Sequence, residues 1–82
     1  MEKLPAQLPW REFVRVVEKL GYEQLPSGKG SARSFHNAKA DPPLVTFHEP
    51  HGKDPIRRGT LREYLRKLKL DRDTFFRLLD SE

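Results

Sequence analysis

The side chains best suited to proton transfer are three histidines, His36, His48 and His51. Imidazole is the group whose ordinary pKa lies near neutral pH, so it can take a proton from one oxygen and deliver one to another. His48 and His51 bracket Glu49-Pro50. Two histidines and a carboxylate this close raise a metal site, but no third ligand converges on them in the sequence, and the expectation is that no metal is bound. His48 fits better at the edge of an active site, or as a hydrogen-bond partner that fixes a loop. His36 reads as an exposed strand histidine or a satellite of such a site. Lys29 and Arg33 flank Gly30-Ser31, a turn between two cations that suits phosphate contacts as well as ordinary surface charge. Arg57-Arg58 precede Thr60, where a helix start would offer free N–H groups to an anion.

These residues need elements to position them. Pro9 suits a first helical turn, and Trp10, Phe13, Val17 and Leu20 recur at helical spacing. The spacing predicts a helix over Pro9–Leu20, closed by Gly21 in a left-handed cap. Tyr22–Leu25 and Ser31–His36 are strand candidates on either side of a Pro26–Gly30 turn. Leu44-Val45-Thr46-Phe47-His48 is the strongest strand, rich in β-branched and aromatic residues. Asn37–Pro43 and His51–Gly59 read as loops, and Met1–Leu8 as a lead without periodicity.

A second helix is expected from Thr60, with Thr60 and Glu63 forming a capping box and Leu61, Tyr64, Leu65 and Leu68 forming the buried stripe. Asp71 can cap a last short helix whose apolar residues are Phe75, Phe76, Leu78 and Leu79, with Phe75 and Phe76 closing the core and one of the two partly exposed. Trp10, in the stripe of helix one, reads as core rather than as a base-stacking platform. The order α-β-β-β-α plus a terminal helix predicts a two-layer α+β domain with a three-stranded antiparallel sheet. Its helices would cover one face of the sheet, leaving the other open to solvent or a partner.

Composition narrows the function classes. With 82 residues, one domain over 1–82 is expected, with a marginal core. There is no cysteine, which excludes disulfides and thiolate metal sites. No apolar run approaches the roughly 18 residues of a membrane span, and Met1–Pro5 lacks a signal-peptide apolar region, so a soluble, cytoplasmic protein is expected. The formal net charge is +4, from 16 basic against 12 acidic residues. Eight of the basic residues lie between Arg57 and Arg77, with only three acids among them. This bias favours a polyanion or an acidic protein partner.

Several short segments, in order, resemble the HicA family of toxins. Leu8-Pro9-Trp10-Arg11-Glu12 is similar to the family's entry into helix one, and Lys19-Leu20-Gly21-Tyr22 to its exit. Gly28-Lys29-Gly30-Ser31 resembles the turn before the catalytic position. Phe47-His48-Glu49-Pro50-His51 resembles the third strand and its ending in one branch. Arg58-Gly59-Thr60-Leu61-Arg62, followed by Leu65, resembles the start of helix two, and Asp73-Thr74-Phe75 with Leu78-Leu79 the closing segment. Each segment is weakly specific alone; together they span Leu8 to Leu79.

The resemblance implies a fold like that of a double-stranded RNA-binding domain. It also implies an mRNA interferase, a metal-independent endoribonuclease that needs no cofactor, acting in a type II toxin–antitoxin pair with a HicB-type antitoxin that covers the active site. The family's catalytic histidine follows Gly-Ser, and the matching position here is Ala32. Lys29, Gly30, Ser31, Arg33, His36, Arg57, Arg58 and Thr60 become the expected RNA contacts.

Alanine has no side chain that can exchange a proton. Three readings follow. Alanine can be an inactivating replacement of histidine. The chain can belong to a branch in which Arg33 is the working cation and His48 or His51 the base. Or it can bind RNA, or chiefly its antitoxin, without cutting RNA.

Overall fold

A computed structural model describes residues 3–28 and 30–81. The described residues form β1 (Gln7–Leu8), α1 (Trp10–Lys19), β2 (Glu23–Gln24), β3 (Ala32–His36), β4 (Leu44–His48), β5 (Ile56–Arg57), α2 (Arg58–Lys67) and α3 (Arg72–Asp80). Strands β2-β3-β4 make the expected three-stranded antiparallel sheet. A second, two-stranded ladder, β1–β5, pairs Gln7 with Arg57 and Leu8 with Ile56.

Alternation along β3 and β4 separates two faces. Phe35, Val45 and Phe47 point into the core and are at most 5% exposed. Helix α1 adds Phe13, Val16 and Val17 to this core, α2 adds Leu61, Tyr64 and Leu65, and α3 adds Phe75. The rings of Phe13 and Phe47 meet edge to face at 4.9 Å, and Phe47 and Tyr64 lie 4.8 Å apart. Trp10 packs beside Phe13 and Phe35, as its place in the stripe predicts.

The connections out of α1 and α2 use the same device. After α1, Gly21 adopts φ +97°, its N–H donates to Glu18 O, and Tyr22 N–H donates to Val17 O. After α2, Lys69 takes the left-handed position at φ 54°, with Lys69 N–H on Arg66 O and Leu70 N–H on Leu65 O. These are two Schellman closures, one with the favoured glycine and one without it. Asp71 caps α3 as expected, accepting Thr74 N–H at 2.7 Å. That backbone hydrogen bond is the main reason its carboxyl pKa is lowered.

Two local expectations are corrected. The described part of the segment before Pro9 is structured, because Leu4 and Leu8 are both 5% exposed and bury themselves against the core, while Met1 and Glu2 lie outside the described residues. It carries β1, and its Ala6 O accepts Arg58 N–H while Leu4 O accepts Arg58 Nε–H. Helix α2 therefore starts at Arg58, with Arg57 as N-cap and no side-chain capping bond. Thr60 lies inside the first turn, so the predicted capping box does not form. The β1–β5 ladder replaces it in fixing where the helix begins.

Candidate functional site

The open face of the sheet is built from the even-numbered residues of β3 and β4. Cross-strand partners there are Ala32 with His48, Ser34 with Thr46, and His36 with Leu44. The ladder's hydrogen bonds fall on the alternate pairs: Glu49 N–H donates to Ser31 O and Asn37 N–H to Pro43 O. Ala32 and His48 are thus a non-hydrogen-bonded pair, the kind whose Cα atoms approach to about 4.5 Å and whose side chains stand closest together. Ser31 Oγ lies 3.3 Å from His48 Nδ1. Alanine opposite an imidazole leaves room on this face directly beside the histidine ring.

His48 is held from behind. Its backbone N–H and C=O point to the free edge of β4, where Tyr64 of α2 accepts the first at 3.2 Å and donates to the second at 2.8 Å. Lys67 Nζ donates to the next outward carbonyl, Thr46 O, at 2.9 Å and lies over the Phe47 ring. Helix α2 thereby satisfies an edge that would otherwise be open to pairing. Tyr64 reads from the sequence as a core residue in an apolar stripe; that its hydroxyl grips the site strand is visible only in three dimensions.

Arg33 is tied into the protein. Its Nε–H donates to Glu49 Oε1 at 3.0 Å, and Nη1 donates to Gly30 O at 2.8 Å and Ala32 O at 3.0 Å. The ion pair is half-shielded, with Arg33 21% and Glu49 34% exposed at the side chain. It clamps the turn carrying Ser31 against the exit of β4. Glu49, weighed in the sequence only as part of a metal set, is the anchor of that clamp. Among the described residues no three His, Asp or Glu side chains gather into a metal-ligand cluster.

The sequence-predicted residues fall into two groups. Gly30, Ser31, Arg33, Glu49, Pro50 and His51 line one shallow depression at the end of the sheet, and Ala32 and His48 pair on the open face beside it. His51 is exposed there, and its backbone carbonyl accepts Asp54 N–H in the following turn. His36 shares the open face but sits four residues along β3, about 13 Å away, opposite Leu44 and Glu23. Arg57, Arg58 and Thr60 belong to the start of α2 and line no part of the depression. Lys29 lies outside the described residues.

A hydrogen-bonded serine, an exposed histidine and an open facing position can bind a phosphodiester and move one proton. A second proton-transfer group at position 32 would complete an acid–base pair. No helix among the described residues is long and apolar enough to cross a membrane.

In comparison with known proteins, a family model described as the HicA toxin of bacterial toxin–antitoxin systems matches residues 10–70. No curated protein and no solved structure matches the chain.

Proposed function

The chain belongs to the HicA toxin family of bacterial toxin–antitoxin systems, and on that premise we propose that it is a metal-independent mRNA endoribonuclease fold whose catalytic position is occupied by Ala32. The match covers most of the chain and includes both strands of the candidate site. Family membership implies an antitoxin partner; we take that partner to be HicB-type, and the place of action to be the cytoplasm.

The observation that carries this reading is the pairing of Ala32 with His48 across β3 and β4, beside Ser31. Histidine at position 32 would stand next to the His48 imidazole on the open face. One neutral imidazole then removes the proton from a ribose 2′-OH, whose oxygen attacks the adjacent phosphorus. One protonated imidazole gives its proton to the departing 5′-oxygen. The products are a 2′,3′-cyclic phosphate and a free 5′-OH, so protons balance without a further reactant. Ser31 Oγ holds the His48 ring through Nδ1, and His51 lies at the rim of the depression.

With alanine at position 32, half of that pair is missing. This chain is therefore read as an RNA binder that does not cut, and as a target for its antitoxin on the same face. The test compares the chain with its Ala32→His variant on a long single-stranded RNA in EDTA. Cleavage by the variant alone supports the reading. Cleavage by neither removes the catalytic assignment of position 32, and cleavage by both moves the chemistry to His48 and His51 alone.

A further inference from the structure

Away from the sheet, a second surface collects charge that the proposed active site does not use. Arg58, Arg62 and Arg66 of α2 recur every four residues, so each follows the last by about 6 Å along one flank of the helix. Lys3 from the N-terminal segment and Arg72 at the start of α3 line the same groove, a cleft of about 790 Å³. The carboxylate among its lining residues is Asp71, and that group already accepts Thr74 N–H.

The cations here are available to different degrees. Arg58 is fixed by its Nε–H bond to Leu4 O, which orients the guanidinium rather than neutralising it. Arg62 has no hydrogen bond or ion pair among the described residues. Arg66 pairs with Glu63 at 3.3 Å, but both side chains are more than half exposed. An exposed pair of that kind is worth little and exchanges readily for another anion. The first turn of α2 holds no acidic residue and no side-chain cap, so its partial positive charge adds to the same field.

The groove sets exposed cations around a leucine floor. Leu4 and Leu65 beneath it are buried, and Leu70 is partly buried against the core. Among the described residues the exposed large apolar ones, Leu25 and Leu44, are elsewhere: Leu44 is on the open sheet face, and Leu25 N–H pairs with Ser34 O on the adjoining strand. Protein interfaces draw most of their affinity from a few Trp, Tyr and Arg anchors seated in desolvated pockets, whereas phosphate contacts need only oriented cations at an exposed surface such as this one. An array of arginines at a regular spacing fits a phosphodiester backbone.

We propose that the groove formed by Arg58, Arg62, Arg66 and Lys3 is a second, sequence-independent site for the phosphates of RNA, holding a stretch of the strand away from the one presented to position 32. It rests on the reading of the chain as an RNA-acting protein. The site supplies affinity, and the sheet face supplies chemistry.

The experiment measures binding of a fluorescein-labelled single-stranded RNA of roughly 20 nucleotides across a salt series. The arms are the unaltered chain, Arg62→Gln/Arg66→Gln, Arg62→Lys/Arg66→Lys, and a control, Arg11→Gln/Arg15→Gln, which removes the same charge from exposed positions on α1. Losing two phosphate contacts lowers the magnitude of the slope of log K against log salt by about 1.4, which corresponds to roughly 25-fold weaker binding at 0.1 M salt relative to 1 M. The lysine variant keeps the slope, and the α1 control loses much less affinity.

In the Ala32→His background, the glutamine pair raises KM for long RNA and leaves kcat unchanged. Equal losses in the groove variant and the α1 control overturn the groove assignment while leaving the ribonuclease reading intact. Failure of the unaltered chain to bind RNA overturns both. Tight binding of poly-glutamate in the groove, with no RNA binding there, overturns the proposal in favour of an acidic protein partner.

Discussion

Tyr64 holds His48 by both of its backbone groups, accepting the N–H at 3.2 Å and donating to the C=O at 2.8 Å. A helix side chain thus sets the height and twist of the strand end that carries the candidate site histidine. Tyr64→Phe removes the hydroxyl and leaves two edge groups to water or to nothing. The expected loss is about 1–2 kcal/mol, or a fall in Tm of several degrees for a domain of this size. In the Ala32→His background the same change lowers kcat more than it raises KM, because it moves a reacting group rather than a binding one. An unchanged kcat with a lowered Tm would make Tyr64 a purely structural residue.

The pairing of position 32 with His48 predicts a dependence between the two. Ala32→His is expected to produce RNA cleavage in EDTA, and His48→Ala added to it is expected to reduce kcat by about 10²–10⁴, the usual contribution of one general acid or base. Product analysis should find 2′,3′-cyclic phosphate ends. A double variant as active as Ala32→His would remove His48 from the chemistry and leave His51 as the group to test.

Arg33 bridges Glu49, Gly30 O and Ala32 O, which makes it a positioning residue for the Ser31 turn. Glu49→Gln and Arg33→Gln should therefore have similar effects on cleavage in the Ala32→His background, since each opens the same clamp. If Arg33 instead serves mainly as a phosphate ligand, Arg33→Gln will weaken RNA binding while Glu49→Gln will not. Binding and turnover measured on both variants separate the two outcomes.

Lys69 occupies the left-handed closure of α2 at φ 54°, a conformation that costs a side-chain-bearing residue about 1–2 kcal/mol. Its ammonium meets Asp41 at 3.0 Å in an exposed pair that returns little of that cost. Lys69→Gly is expected to raise stability by up to about 1 kcal/mol, read as a rise in Tm or in the urea midpoint. A fall would mean that the Lys69–Asp41 contact outweighs the backbone strain.

The helices and the principal strands were legible because their signals are local. The stripe Trp10, Phe13, Val17, Leu20 with Gly21 after it has one low-energy solution, and so does Leu44–His48. Asp71 three residues before Thr74 is a cap readable from spacing alone. The β1–β5 ladder was not legible. Two-residue strands carry no periodicity, and the start of α2 depends on Ala6 and Leu4, more than fifty positions away in the chain. A capping box at Thr60 was the better local solution, and a distant one displaced it.

For the site, residue types and their order set the chemistry on offer: three imidazoles, a Gly-Ser turn between cations, and alanine at the position that the family reserves for histidine. The family match over residues 10–70 agrees with what those segments suggested. Which of these groups meet depends on how the strands and helices pack. Register placed His48 opposite Ala32 and left His36 at the far end of the same face. Arg33 was drawn to Glu49, Lys67 of α2 reached back to the edge of β4, and Arg58, Arg62 and Arg66 were gathered into a groove of their own. The reason is that residue type fixes what a side chain can do, whereas strand pairing and helix packing are long-range solutions to burying one apolar core. The distances among polar groups on the surface follow from how that core closes.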